Sequence, residues 1–417
     1  MPKKTVDHVV KRPGRRHGDP DVAIQVAEDL TTVPGVPIRE EDVQFYSRAY
    51  PIESQNIDKS ADRQWVWTVY SDEMVEYRKK HDEHVKPLVD AALESGELEP
   101  TEIPIPGNDL TEQIRLKARE LGFHEVGFTK FDHRYAYSSK KHWSKYEHAI
   151  CLALEQDYLW TQTIPSMEAE WAHFGTYEIE GALALDLGDY IRSLGHHAQI
   201  HSPNDNSGAY IPMFVEAGLG QLGANGQLLS PHFGSRSRIM LITTDAPVTY
   251  DEPVDYGINK FCEVCQVCVN RCPGRALIRD KVWWRGVEKF KVIYERCRPV
   301  MARYEGCAIC IKVCPIQRYG MHAVMEHYVE TGEVLGKGTE NLEGYEFKEK
   351  GYFPPGKLPR FNREFFDIPH GRTEDWLFEQ FMTKLEEKGS AGTEELVSFA
   401  SQVKTVLDRG RTTRGDE

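Results

Sequence analysis

A mixed α/β (α+β) chain that runs into a cysteine-rich module is what the sequence predicts, on three observations. Eight of its nine cysteines fall between Cys262 and Cys314. Ahead of them, from about residue 106, helical and strand-like periods alternate. The 417 residues leave room for two or three domains and a large core.

Residues 1–105 are polar and charged, with Pro and Gly scattered through them. Trp65-Val-Trp67 and the charged run Glu73 to Ala92 suggest one or two helices there, and Pro100 to Pro106 reads as a linker. Leu110 to Leu121 is amphipathic and helical, with Gly122 as its C-terminal cap. Glu125 to Thr129 and Ala149 to Leu154 read as strands, and Cys151 inside the second reads as a small core hydrophobe. Glu178 to Leu194 carries a helical stripe at Ile179, Ala182, Leu183, Leu187, Tyr190 and Ile191. Gln227 to Leu229 and Arg238 to Thr244 read as strands. Met321 to Glu330 and Thr393 to Leu407 read as helices, separated by an irregular aromatic stretch from Gly332 to Arg372, and Arg409 to Glu417 as a frayed end. The expected units are 1–105, a polar and helical region; 106–250, an α/β domain; 251–320, the cysteine module; and 321–417, an irregular and helical extension.

The cysteines set the chemistry. The first run is Cys262-Glu-Val-Cys265-Gln-Val-Cys268-Val-Asn-Arg-Cys272-Pro273, and the second is Cys307-Ala-Ile-Cys310-Ile-Lys-Val-Cys314-Pro315 with Cys297 upstream. Three thiolates at C-x2-C-x2-C reach three irons of one cubane, and the fourth, followed by proline, points at the other cluster. The pattern predicts a bacterial-ferredoxin-like domain with two 4Fe-4S clusters. One is held by Cys262, Cys265, Cys268 and Cys314, the other by Cys307, Cys310, Cys272 and Cys297. The long gap after Cys297 departs from the usual spacing, so the pattern leaves the eighth ligand open. Zinc sites use separated cysteine pairs rather than this triple run. Disulfides need an oxidising compartment, and Arg15-Arg16 is followed by His-Gly-Asp-Pro-Asp rather than the apolar stretch of an export signal.

The formal charge of −14 argues against a nucleic-acid partner held by phosphate contacts. No apolar run approaches the ~20 residues of a membrane helix, and a cytoplasmic protein is expected. Gly218-Leu-Gly220-Gln-Leu-Gly223 matches the dinucleotide fingerprint, with Asp245 at about the right distance for a ribose contact. Ala224-Asn225-Gly226 then signals a turn where the fingerprint demands a helix, so the loop reads as backbone approaching a flat ligand.

From about Tyr177 to Pro315 the chain resembles the cobalamin-dependent reductive dehalogenases, which share their architecture with epoxyqueuosine reductase. The residues that carry the resemblance are Glu216-Ala-Gly-Leu-Gly220-Gln, Ser230-Pro-His-Phe-Gly234-Ser-Arg-Ser-Arg238, Thr244-Asp245-Ala-Pro247, Phe261-Cys262 and both cysteine runs. The resemblance implies a nitroreductase-like domain holding base-off cobalamin, with one cluster close enough to pass it electrons. It implies a tyrosine proton donor thirteen residues before an aromatic-Ile-Arg segment, which is Tyr177 before Tyr190-Ile191-Arg192, and a cationic partner at Arg238. Cofactor-site contacts are expected at Gly218, Gly220, Gly223, Ser230, Phe233 and Gly234, with His232 as a pocket neighbour. Asn204 or Asn206 is expected to order the tyrosine. Asp82-Glu-His84 does not continue into a cobalt-ligand motif, which fits a family that uses no protein ligand to cobalt.

These residue types suit the reaction. Replacing a carbon–halogen bond by carbon–hydrogen takes two electrons and one proton. A phenol keeps its proton at neutral pH, having an ordinary pKa near ~10, and a guanidinium stabilises the phenolate left behind. The implied substrate is a small organohalide, and the electron donor is external, such as a ferredoxin or flavodoxin. Trp283, Trp284 and Tyr294 either line an apolar substrate pocket or pack around the clusters. The alternatives are an epoxyqueuosine-type reductase, or an electron-transfer or corrinoid-handling iron–sulfur protein.

Overall fold

In the computed structural model, the described residues are 1–10, 22–30, 71–137, 140–204, 207–284 and 287–366. The expected features at Trp65-Val-Trp67, Thr393 to Leu407 and Arg409 to Glu417 lie outside them. In chain order the principal elements begin with strands β1 (Thr5–Val10) and β2 (Val22–Ala27), then helices α1 (Asp72–Glu94) and α2 (Thr111–Leu121). Strands β3 (Glu125–Lys130) and β4 (His148–Glu155) precede the long α3 (Met167–Ser193). Then come β5 (Ala198–His201), α4 (Ile211–Glu216), β6 (Ser237–Thr244), α5 (Ile258–Cys265), α6 (Val267–Arg271), α7 (Tyr294–Arg303) and α8 (Met321–Thr331).

The central sheet runs β3-β4-β6-β5 and every pairing in it is antiparallel, with Gly127 opposite Cys151, Cys151 opposite Leu241 and Ile200 opposite Ile242. Alternation along the strands sends side chains to two faces. Phe128, Ile150, Leu152, Met240 and Ile242 pack with Ile114 and Ala118 of α2 and Leu187 and Ile191 of α3. Ala149, Cys151, Ala153 and Leu241 pack with Phe131, Tyr135, Met213 and Phe214. Both faces are buried, which is why β4 is apolar without a break, and each such large side chain contributes roughly 1.5–3 kcal/mol. Cys151 is fully buried here, as its apolar surroundings in the sequence suggested.

The long helix α3 starts eleven residues before the expected Glu178. Ser166 caps it, its side chain accepting from the Ala169 amide, and Glu168 and Glu170 sit in the first turn. The apolar stripe is a poor guide at this end because several faces are buried; Ile179, assigned to the stripe, is 58% exposed, while Glu180 is fully buried. Tyr177 therefore stands within the helix rather than at its start.

The first hundred residues divide between two cores. The β1–β2 hairpin gives Ile24 and Val26 to the core of the cysteine module, beside Phe261 and Tyr328, and Lys3 N–H donates to Val329 C=O at 2.9 Å. Helix α1 packs on α3, with His81 bonded to Glu178 at 2.8 Å. The stretch after Gly332 includes a hairpin of Tyr345–Phe347 with Gly351–Phe353, and it is pinned by Arg271. The buried Arg271 guanidinium donates to the carbonyls of Glu343, Lys357 and Phe353 at 2.7–3.0 Å and stacks on Tyr345.

Gly234 joins the sheet domain to the module. Its φ of +63° favours glycine, and an added Cβ would lie 2.8 Å from Gln317 Cβ and 2.9 Å from Gln317 Cα. Gly234→Ala is expected to lower stability by about 1–3 kcal/mol, seen as a lower urea midpoint. An unchanged midpoint would mean that this contact relaxes freely.

Candidate redox and proton-transfer site

Tyr177 on α3 and Arg238 at the start of β6 are brought together although sixty residues of chain separate them. The Arg238 guanidinium lies over the Tyr177 ring, 5.1 Å from its centroid. Both line a cavity of about 350 Å³. Its other walls include Tyr210 and Ile211 at the start of α4, Leu222 and Gly226 of the glycine-rich turn, and Phe290 and Val292. Arg238 Nη1 donates to Ser237 C=O at 3.2 Å, while its buried Nε has no hydrogen-bond partner among the described residues. A cation held this way keeps bonding capacity in reserve for an anion.

The surroundings of this pair are strongly desolvated. His173, one turn before Tyr177 with its ring centroid 5.2 Å away, is pushed down to about 4 by burial and by Arg238, against its bond to Glu170. Glu180, one turn after Tyr177, is held well above the usual carboxylate range by burial, which outweighs the opposing pull of Arg238.

The residues expected to contact a cofactor lie elsewhere. None of Asn204, Gly218, Gly220, Gly223, Ser230, His232, Phe233 or Gly234 lines the cavity, and Asn206 is outside the described residues. Ser230 Oγ donates to Glu125 Oε1 at 2.6 Å, His232 stands 3.3 Å from the same oxygen, and Phe233 is core. Gly218 and Gly220 leave room for the carbonyls of Glu252 and Leu229, so protein backbone is what requires glycine there. Asn204 keeps a buried amide nitrogen without a partner among the described residues. The cavity takes its neighbours Gly208, Tyr210, Leu222 and Gly226 instead, which no motif marks. The fingerprint lookalike follows α4 and itself contains the first strand of a short hairpin, Gln221–Leu222 with Leu228–Leu229. Asp245 binds His197 through its amide and its ring.

The cysteines gather in two groups. Cys262, Cys265, Cys268, Cys310 and Cys314 line one small pocket. Cys272, Cys297, Cys307 and Cys310 lie within electrostatic reach of one another, so that Cys307 is raised by burial and then by the other three. Cys297, which the spacing left open, joins this second group. Left-handed backbone at Gln266, Cys307 and Ala308 forms the tight loops. Burial pushes Cys262 and Cys297 up to about 12. All nine cysteines are free thiols, and no group of three or more His, Cys, Asp or Glu among the described residues is arranged for a single metal ion. Buried, clustered thiols of this kind could hold a multi-iron cluster, whose binding would expel their protons.

One turn joins the two sites. Leu222 and Gly226 line the cavity, while Ala224, Asn225 and Leu229 line the first cysteine pocket. The Ala224 backbone N–H bonds to Cys262.

No family model matches the chain. A tetrachloroethene reductive dehalogenase of Desulfitobacterium hafniense is 32% identical over 192 residues, covering 41% of this chain and 34% of that protein. The chain is a relative of the reductive dehalogenases. It spans about a third of the length of the first such relatives. The epoxyqueuosine reductase of Escherichia coli is 25% identical over 268 residues, 54% of this chain and 70% of that protein. A catabolic reductive dehalogenase solved in complex with 3-bromo-4-hydroxybenzoic acid shares the fold at TM-score 0.52 and 24% identity, over 59% of this chain and 39% of that one. Among the described residues no helix is long and apolar enough to cross a membrane. The cavity volume is in the range of a pocket for a small molecule.

Each group of cysteines borrows its fourth member from the other run. Cys272→Ala is therefore expected to remove iron from the group of Cys297, Cys307 and Cys310 and leave the other intact, read by iron content and EPR after anaerobic reconstitution. Loss confined to the Cys262 group would reverse the pairing.

Proposed function

We propose that the chain is a reductive dehalogenase that removes halide from a small organohalide, using cobalamin and two 4Fe-4S clusters. The observation that carries this reading is the shared turn at 222–229. A cavity with a proton donor and cations is separated by one loop from a pocket lined by five of the thiols, and the Ala224 amide of that loop already bonds Cys262. Electrons and a proton would thus converge on one cavity. The relatedness to reductive dehalogenases supports the choice of cofactor and substrate class.

When bound, cobalamin supplies the strongly reducing metal centre that breaks the carbon–halogen bond. Gly208, Tyr210, Leu222 and Gly226 would border it, and the apolar walls at Ile211, Phe290 and Val292 would hold the substrate ring and exclude water. Tyr177 gives its hydroxyl proton to the carbon that loses halide. Arg238 stabilises the phenolate that remains, and the desolvated setting strengthens that attraction. Clusters held by the two groups of cysteines would supply electrons one at a time, received from an external ferredoxin- or flavodoxin-type donor.

The epoxyqueuosine-type reading shares the cofactors and is favoured by the larger fraction of that protein matched. The formal charge of −14 opposes a phosphate-rich substrate. Restoration of queuosine by this chain in a reductase-deficient strain would select it.

Tyr177→Phe is expected to retain iron and cobalamin but to lose at least ~100-fold in organohalide turnover, the scale of general acid catalysis. Turnover close to that of the unaltered protein would remove Tyr177 from the mechanism.

A further inference from the structure

Glu180 is the least explained group near the site. Its side chain is fully buried, and neither carboxyl oxygen has a hydrogen-bond partner among the described residues. It lies three residues after Tyr177 on α3, the spacing that puts side chains on neighbouring turns of one face. Across from this face is Arg238, whose field reaches Glu180 and whose buried Nε is also without a partner. His173 and Glu170, further back on α3, lie in the same field. Glu178, the neighbouring acid, is turned instead to His81 on α1.

A buried carboxylate with no donor to satisfy it is costly, and the group escapes that cost by holding a proton. A replaceable glutamate in an apolar stripe, beside Ala184 and Leu187, would ordinarily be an apolar residue. Its position one turn from the tyrosine and within reach of the same arginine gives the stored proton a use.

We propose that Glu180 is the proton reserve of this site, reloading Tyr177 after each turnover. The inference rests on the reading of Tyr177 as proton donor. Once Tyr177 has given up its proton, the O–H bond of the Glu180 carboxyl breaks and one forms on the phenolate oxygen, relayed through a water that bridges the two. No electron moves in this step. Negative charge passes from the tyrosine to Glu180 while Arg238 faces both, so the counter-charge stays in place. Solvent then returns a proton to Glu180 during the interval before the next substrate. The device lets the cavity stay closed to water through the chemical step and still begin each cycle with a loaded phenol.

The test uses the reconstituted, cluster- and cobalamin-loaded protein. Infrared spectra near neutral pH are expected to contain the carbonyl stretch of a protonated carboxyl that is missing in Glu180→Gln. Steady-state turnover of Glu180→Gln is expected to fall roughly tenfold or more, with Glu180→Asp recovering part of it. Identical spectra for the two proteins would mean that Glu180 is ionised and would overturn the proposal, whether or not the protein dehalogenates. A band lost without any fall in turnover would overturn it as well. If Glu180→Gln does not fold, Glu180→Asp is read for a shifted band and a partial loss of turnover, and an unshifted band or full turnover counts against the idea. Failure of the parent reading looks different, because Tyr177→Phe would then remain active.

Discussion

Eight thiols crowded into one interior cannot all carry charge there, and this constraint shapes the module around them. Burial favours their neutral form, and a bound cation-rich group would be what lets them ionise together. The tight left-handed loops, the short helices after each run and the apolar core of Phe261, Ile309, Ile311 and Ile316 keep the sulfurs together and dry. Dryness matters because the same low dielectric makes nearby backbone dipoles, such as the Ala276 amide 3.2 Å from Cys272, effective on a cluster's charge.

The sheet domain answers a related constraint with different residues. Arg238 is a permanent cation brought to the edge of a cavity by a strand buried on both faces. Its field lowers the tendency of His173 to take a proton and is too weak to ionise Glu180 against desolvation. The cavity therefore combines the cations of Arg238, Lys289 and Lys291 with His173 and Glu180 behind it that stay neutral, which favours a process that creates negative charge briefly and returns it.

Parts of this were legible from residues alone. The strands β3, β4 and β6 were readable because unbroken β-rich apolar runs have few other solutions, and the cysteine spacing implied the two groupings because short loops limit where a thiol can reach. Tyr177 and Arg238 were named from a family pattern, and their meeting depends on a helix–sheet packing that no local period encodes. Strand β5 was too short to leave a signal, and the start of α3 was hidden by burial on several sides, although Ser166 with two following acids was a readable cap. The cavity-lining Gly208 and Tyr210 come from one loop and Gly226 from another, so only the folded chain brings them together. Glu180 did leave a trace: an acid at helical spacing from Ala184, Leu187 and Ile191.

The reach of Arg271 bears on the order of assembly. It belongs to the first cysteine run, yet its guanidinium is satisfied only by carbonyls 72 to 86 residues later. The β1–β2 hairpin closes on α8 across an even longer stretch of chain. Contacts so distant in sequence form late, after the local loops that present the thiols. Iron and sulfide thus have an interval in which the loops exist and their cover does not. Iron and sulfide that arrived after the cover had closed would meet buried rather than open thiols.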